Sequence, residues 1–252
     1  MNLYKADLHV HTCLSPCGDL DMSPRNIIQA AIQKGLDMIA ITDHNSTRNV
    51  KTCLEIAEKE NIFVVPGCEI NTQEEVHCLA YFPDLEAISE FQKYLDRKLP
   101  EIENDPDLFG YQVAVDEDDR IIFEEKRSLY LGIRDDIENA ANQVHALGGI
   151  FVPAHIDRLK NSIFSQLGFI PFDLKYDALE ISKRHSVPEF LKMHPELQNA
   201  RILRNSDAHQ LEDIGTLTTF FRMPELNWIF FKSAFERNAF GSEILNHDSE
   251  IW

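Results

Sequence analysis

His9 and His11 stand two residues apart at the end of the apolar run 4–10. On a strand, side chains two apart share a face, so both imidazoles point the same way, and Asp7 shares that face. Asp207 and His209 repeat the spacing just after the run 202–205. His44 follows the run that ends at Thr42, Glu69 follows 62–65, His77 lies within 76–82, and His155 ends 150–154. Asp19 sits in the loop after the first run. Imidazole and carboxylate together are the ligand set of Zn²⁺, Mn²⁺ or Fe²⁺. Nine such residues exceed the needs of one ion, so two or three ions sharing a bridging carboxylate are the natural count. A single histidine at a strand end is more often a hydrogen-bonded structural residue than a ligand. The joint pattern differs, because packing alone gives no reason for six histidines to gather at strand ends. His145, His185, His194 and His247 lack that placement and read as surface or helix residues.

These residues need strands to carry them. The run 4–10 reads as the first. Ser23 then caps a helix with Pro24 at its first position, Ile27, Ile28, Ala31 and Ile32 form its apolar stripe, and Gly35 suits its end. Further strands are expected at 36–42, 62–65, 76–82, 150–154, 178–181, 202–205 and 217–221. Helices are expected at about 49–61, 84–99, 135–147 and 225–237. Runs 111–115 and 120–123 flank Asp116-Glu117-Asp118-Asp119 and predict a β-hairpin with an acidic tip. Strand–helix alternation over this length predicts a parallel α/β barrel or an open doubly wound sheet. With no repeat or linker visible, residues 1–252 are expected to form one domain.

Composition narrows the function. With 252 residues, 44% hydrophobic and 26% charged, the chain can bury a sizeable core. The longest apolar runs are too short to span a bilayer. No basic start followed by an apolar stretch marks a secretory signal. Five cysteines, all in the first third, are a poor disulfide framework and point to a reducing, cytoplasmic setting. Forty-two acidic against 24 basic residues give a formal charge of −18. Such a surface repels polyanions, and the expected partner is a small phosphorylated substrate, with duplex nucleic acid and membrane excluded.

The segments Asp7-Leu8-His9-Val10-His11-Thr12, Ile41-Thr42-Asp43-His44-Asn45, Pro66-Gly67-Cys68-Glu69-Ile70, Pro153-Ala154-His155 and Ser206-Asp207-Ala208-His209 resemble the polymerase and histidinol phosphatase (PHP) domain family, in order, from residue 3 to about 220. The resemblance implies a distorted (βα)7 barrel, a cluster of two or three metals, and usually phosphoesterase activity. It also implies a ligand arrangement. His9, His11, Glu69 and Asp207 would hold one ion. Glu69 would bridge to a second, held also by His77 and His155. Asp19, His44 and His209 would hold a third. The stretch 84–133, with its acidic hairpin, matches none of these motifs and reads as an insertion.

Chemistry follows from such ions. Metal-bound water loses its proton near neutral pH, and a bridging hydroxide held by way of Glu69 would be the nucleophile for displacement at phosphorus. Three divalent ions outweigh Asp19, Glu69 and Asp207, so the site would be locally cationic within an acidic chain. Arg158 and Lys160 closely follow His155, Arg48 follows His44, and these are the candidate phosphate-binding cations. Asp7 and Asp43 are candidates to orient ligand imidazoles from behind. Hydrolysis of a small phosphomonoester or nucleotide phosphate is the leading expectation. The alternatives are a metal-binding PHP module without catalysis and an exonuclease on short oligonucleotides. A catalytic role is favoured because all nine positions hold ligand-capable residues and no companion domain is seen before Trp252.

Overall fold

A computed structural model describes residues 1–236 and 241–245. The expected helix end at Arg237, and His247, lie outside the described residues. In chain order the elements are β1 (Asn2–Val10), α1 (Pro24–Gln33), β2 (Met38–Ile41), α2 (Val50–Ala57), β3 (Phe63–Asn71), β4 (His77–Tyr81), α3 (Leu85–Lys98), α4 (Pro106–Phe109), β5 (Val113–Val115) and β6 (Ile121–Glu124). They continue with α5 (Ile137–Ala146), β7 (Ile150–Pro153), α6 (Ile163–Leu167), β8 (Leu179–Glu180), α7 (Val187–Met193), β9 (Ile202–Leu203), β10 (Thr219–Met223), α8 (Trp228–Ser233) and β11 (Glu243–Leu245).

Seven strands form one mixed sheet in the order β11-β10-β1-β2-β3-β4-β7. β1, β2 and β3 pair in parallel, β2 reached through α1 and β3 through α2. β4 runs antiparallel to both β3 and β7. The cause is local: a turn of a few residues joins β3 to β4, and a parallel return needs a crossover of a dozen residues or more. Strand–helix alternation therefore breaks at this point, and the sheet is a curled half-barrel rather than a regular repeat. β8 and β9 pair in parallel as a separate two-stranded unit. Backbone bonds tie this unit to the sheet on one side, Asp177 N–H to Phe151 O and Ile156 N–H to Glu180 O. Past β9 the chain returns to β1, where Ala208 N–H donates to His9 O and His11 N–H to Ala208 O.

Ser23 caps α1 through its bond from Asn26 N–H, and Pro24 opens the helix as expected. Ile27, Ile28 and Ala31 turn inward, with Ile39 and Ile41 of β2 in the same core cluster. Inside the curl a second cluster gathers Ala6, Leu8, Met38, Ala40 and Val65, and the buried Tyr81 hydroxyl donates to Leu8 O. The hollow below the strand ends is thus filled, and the rim alone stays open for chemistry.

The stretch 84–133 folds as α3, α4 and the β5–β6 hairpin. It docks beside the histidine-bearing loops rather than standing apart. Asn49 pairs with the backbone of Val113 and Val115, and Thr52 Oγ1 donates to Val115 O. Asn45 Nδ2 donates to Leu129 O and Leu131 O while its Oδ1 accepts from Asn71 N–H. All five cysteines are unpaired, four of them buried and Cys17 exposed. Among the described residues no helix is long and apolar enough to cross a membrane.

Candidate metal centre

Glu69 is the hub. It lies inside β3 and is 1% exposed. One carboxylate oxygen, Oε1, lies 3.0 Å from His77 Nδ1 and 3.1 Å from His155 Nε2. The other, Oε2, lies 3.3 Å from His9 Nε2, 3.3 Å from His11 Nε2 and 3.0 Å from His44 Nδ1. The single carboxylate therefore faces two separate sets of imidazoles. Asp207 Oδ1 closes the His9–His11 side at 3.3 and 3.2 Å. Among the described residues, three groups have all their ligand atoms within 4.8 Å of one another: His9, His11, Glu69 and Asp207; His44, Glu69 and His77; and His11, His44 and His209.

Chain geometry at the rim is costly. His155 and Asp207 carry φ of 30° and 54°, in the left-handed region. Non-glycine residues there cost on the order of 1–3 kcal/mol and gather at functional sites. Buried hydrogen bonds hold these turns in place. Asp7 accepts from Ser206 N–H, Ser206 Oγ and Gly215 N–H, which fixes the turn that carries Asp207. Burial pushes the Asp7 carboxyl up to about 6, against these bonds. Asp43 accepts from Thr12 N–H, Thr12 Oγ1 and Ser15 Oγ, and Ser15 in turn lies 2.9 Å from His11 Nδ1. Asp7 braces the loop that carries Asp207, and Asp43 reaches His11 through Ser15.

Glu180 is a residue the sequence reading missed. Its carboxylate is 2% exposed and accepts from His9 Nδ1 at 3.1–3.2 Å, His155 N–H at 2.9 Å and Asn205 Nδ2 at 2.8 Å. A carboxylate behind a ligand imidazole fixes its tautomer and raises its basicity. The signal in the sequence was a lone acid between Leu179 and Ile181 in an apolar run.

The electrostatics suit cations. Burial opposes ionisation of Glu69, yet His77, His9, His44 and His11 hold it well below the ordinary carboxylate range. Asp207 is lowered likewise against burial by His9 and His11. Burial disfavours charged His9 as well, but Asp207, Glu180 and Glu69 raise it well above its ordinary value. His11 is pushed up to about 9 by Asp207 and Glu69, again against burial. Burial and the neighbouring His11 bring His209 down to about 4, and burial lowers His44 well below normal. Crowded imidazoles around few carboxylates thus share positive charge unequally, and an incoming divalent ion would displace protons from His9 and His11. His9 Nε2, Glu69 Oε2 and His155 Nδ1 are buried without a hydrogen bond, although the first two are 3.3 Å apart. Donors that are close but misaligned for one another fit a shared ion.

The remaining expected residues divide. Arg158 reaches the cluster and pairs with Asp207 Oδ2 at 2.5 Å. Lys160 lines the adjoining hollow of ≈ 430 Å³ together with His77 and His155. Arg48 points elsewhere, paired with both oxygens of Asp96 and lying 4.1 Å over the Phe123 ring. Asp19 is exposed, and its carboxylate accepts from Asp21 N–H; only its backbone N–H touches the site, at His209 O. The third group of ligand atoms contains His11 in its place.

The PHP domain family model matches residues 7–149, more than half of the chain. The chain belongs to the PHP domain family. The matched span includes the stretch 84–133, which no sequence motif had explained, and stops short of His155, Asp207 and His209. An uncharacterised protein of Methanocaldococcus jannaschii is 40% identical over 28% of this chain and 46% of its own length. The phosphoribosyl 1,2-cyclic phosphate 1,2-diphosphodiesterase of Eggerthella lenta is 31% identical over 26% of this chain and 24% of its own length. The chain thus spans less than half the length of either curated relative. Among solved structures, a lesion-specific endonuclease of Pyrococcus furiosus shares the fold over 96% of this chain and 58% of its own, with TM-score 0.74 and 19% identity. Endonuclease Q in complex with a 27-mer duplex bearing an abasic lesion at the active site gives TM-score 0.71 and 18% identity over the same shares. A chain assigned as a metal-dependent phosphoesterase, from Bifidobacterium adolescentis, gives TM-score 0.56 and 19% identity over 81% of this chain and 87% of its own.

The likeness to endonuclease Q overturns the expected partner, a small phosphorylated substrate with duplex nucleic acid excluded. A fold spanning nearly all of this chain is seen there with duplex DNA at its active site. Net charge misled because it averages the whole surface. Arg158, Lys160, Lys183 and Arg184 gather on the hollow beside His77 and His155, while acids such as Asp116 to Asp119 lie on the hairpin tip and do not line it. Field strength at a cleft follows the charges that line it.

Proposed function

We propose that this chain is a metal-dependent phosphoesterase that hydrolyses phosphodiester bonds in nucleic acid. The observation that carries the reading is Glu69, whose two oxygens face separate imidazole sets, one of which, His77 and His155, lines a hollow edged by four cationic side chains. Two or three divalent ions, Zn²⁺, Mn²⁺ or Fe²⁺, fit the donor set; when bound they supply Lewis acidity and make water a competent nucleophile near neutral pH. His9, His11, Glu69 and Asp207 would hold one, His77 and His155 with Glu69 a second, and His44 and His209 a third, with Asp19 at its edge. Glu180 and Asp43 orient His9 and His11. Arg158 and Lys160 neutralise the phosphodiester, and Lys183 and Arg184 extend that surface along the strand.

The curled sheet and the return of the chain from β9 to β1 support closure into a distorted barrel of the (βα)7 kind, with residues 1–252 as one domain. The unpaired cysteines support a reducing, cytoplasmic setting. Turnover by the Mn²⁺- or Zn²⁺-loaded protein tests the activity, with single-stranded and duplex oligonucleotides, bis(p-nitrophenyl) phosphate and p-nitrophenyl phosphate as substrates. Cleavage of oligonucleotides and of the diester, lost in His9→Ala, is expected. Release of phosphate from the monoester alone would refute the reading. Stoichiometric metal with no hydrolysis of any substrate would assign a binding module instead.

A further inference from the structure

Beside the hollow at the metal cluster lies a second one of ≈ 520 Å³, and Arg158, Leu159 and Arg184 line both. Its chemistry is different. The Phe164 and His194 rings stack with centroids 4.8 Å apart and planes inclined by 12°. Phe190 lies 4.7 Å from His194, on its inner side, fully buried. Leu159 and Met193 form the outer walls and are 77% and 53% exposed. At one edge His185 Nδ1 donates to the buried Asp157 carboxylate at 3.2 Å, which fixes the ring as a polar group beside the apolar surface. None of these side chains belongs to the metal cluster.

Exposed leucine and methionine against aromatic rings are unfavourable surface unless something covers them. The shared arginines say what. A strand whose phosphate lies at Arg158 carries a flat aromatic base one sugar away, and the neighbouring apolar hollow is where that base can go. We propose that the groove of Leu159, Phe164, Phe190, Met193 and His194 is a nucleobase subsite, holding the base of an unpaired nucleotide next to the phosphodiester at the metal cluster. The proposal rests on the nucleic-acid reading above and adds where the base sits. A paired base has its faces covered by stacking, so the subsite selects nucleotides that lie outside a continuous duplex.

Binding of two labelled single strands of equal length to the full-length protein in EDTA tests it. One strand is oligothymidylate and the other an abasic backbone. The double variant Leu159→Ser/Met193→Ser changes only exposed side chains. Losing two apolar walls from around a bound base costs on the order of tenfold in affinity. The variant is expected to bind oligothymidylate roughly tenfold more weakly than wild type, and the abasic strand equally well, which also reports an intact fold and intact arginines. Equal affinity of wild type and variant for oligothymidylate would overturn the subsite while leaving the nucleic-acid reading standing. Failure of wild type to bind or cleave either strand, while it hydrolyses bis(p-nitrophenyl) phosphate, would overturn the nucleic-acid reading and the subsite with it.

Discussion

Replacing Glu180 by glutamine isolates the support behind the proposed metal ligands. The side chain keeps its shape and loses its charge. One carboxylate oxygen accepts from His9 and Asn205, the other from His9 and the His155 N–H. Whichever way an amide is turned, its NH₂ meets at least one of these donors. His9 then keeps only a neutral amide oxygen in place of the carboxylate behind its Nδ1, and either Asn205 or the strained His155 N–H loses its acceptor. Loss of such a partner lowers metal affinity about 10- to 100-fold, or about 1.4–2.7 kcal/mol. Competition with a chromophoric chelator for Zn²⁺ or Mn²⁺ reads this directly, and thermal melting in EDTA reports whether the fold has changed. Glu180→Gln is expected to release metal at chelator concentrations the wild type resists. Affinity within twofold of wild type, in a folded variant, would refute the role of Glu180 as the orienting group behind His9.

Two further outcomes concern the stretch that packs beside the site. Glu125 is 7% exposed on its side chain; burial opposes its charge, but hydrogen bonds from the Arg127 side chain and backbone hold its pKa below the ordinary value. A depressed carboxylate contributes stability that is present above its unfolded pKa of about 4.3 and is lost as pH falls through the folded value. Melting should therefore show stability lost from this group on acidification below about pH 4, and Glu125→Gln should flatten that part of the profile; an unchanged profile would contradict the assignment. Asn45 bonds three backbone groups from a φ of 48°, so Asn45→Ala should cost about 3 kcal/mol in chemical denaturation and loosen the loop of His44. A loss below about 1 kcal/mol would mean that water replaces those bonds.

Much of the site was legible because ligand chemistry leaves few options. His9, His11, His44, Glu69, His77, His155, Asp207 and His209 all converge, and each was marked by its place at the end of an apolar run. The first helix was legible from Ser23 and Pro24. Less visible was what depends on direction and distance. β4 reads as one more strand, and its antiparallel course follows only from the short turn 72–76. Arg48 sits near His44 in sequence, yet a bidentate partner at Asp96 draws it away. Short α6 and α7, which carry much of the second hollow, have too few residues to show a period. Glu180 looked like one acid in a strand, because a second layer of support is defined by what it touches. Partner class was misjudged for a related reason: the −18 of the whole chain says nothing about four cations on one hollow.

Metal content is the most direct test of the central claim, that one buried carboxylate joins separate cation sites. Elemental analysis of protein purified without chelators, and again after reconstitution, should give two or three divalent ions per chain, with Glu69→Gln retaining at most one. A folded wild-type protein that takes up no stoichiometric metal, or a Glu69→Gln variant that holds the full complement, would contradict it.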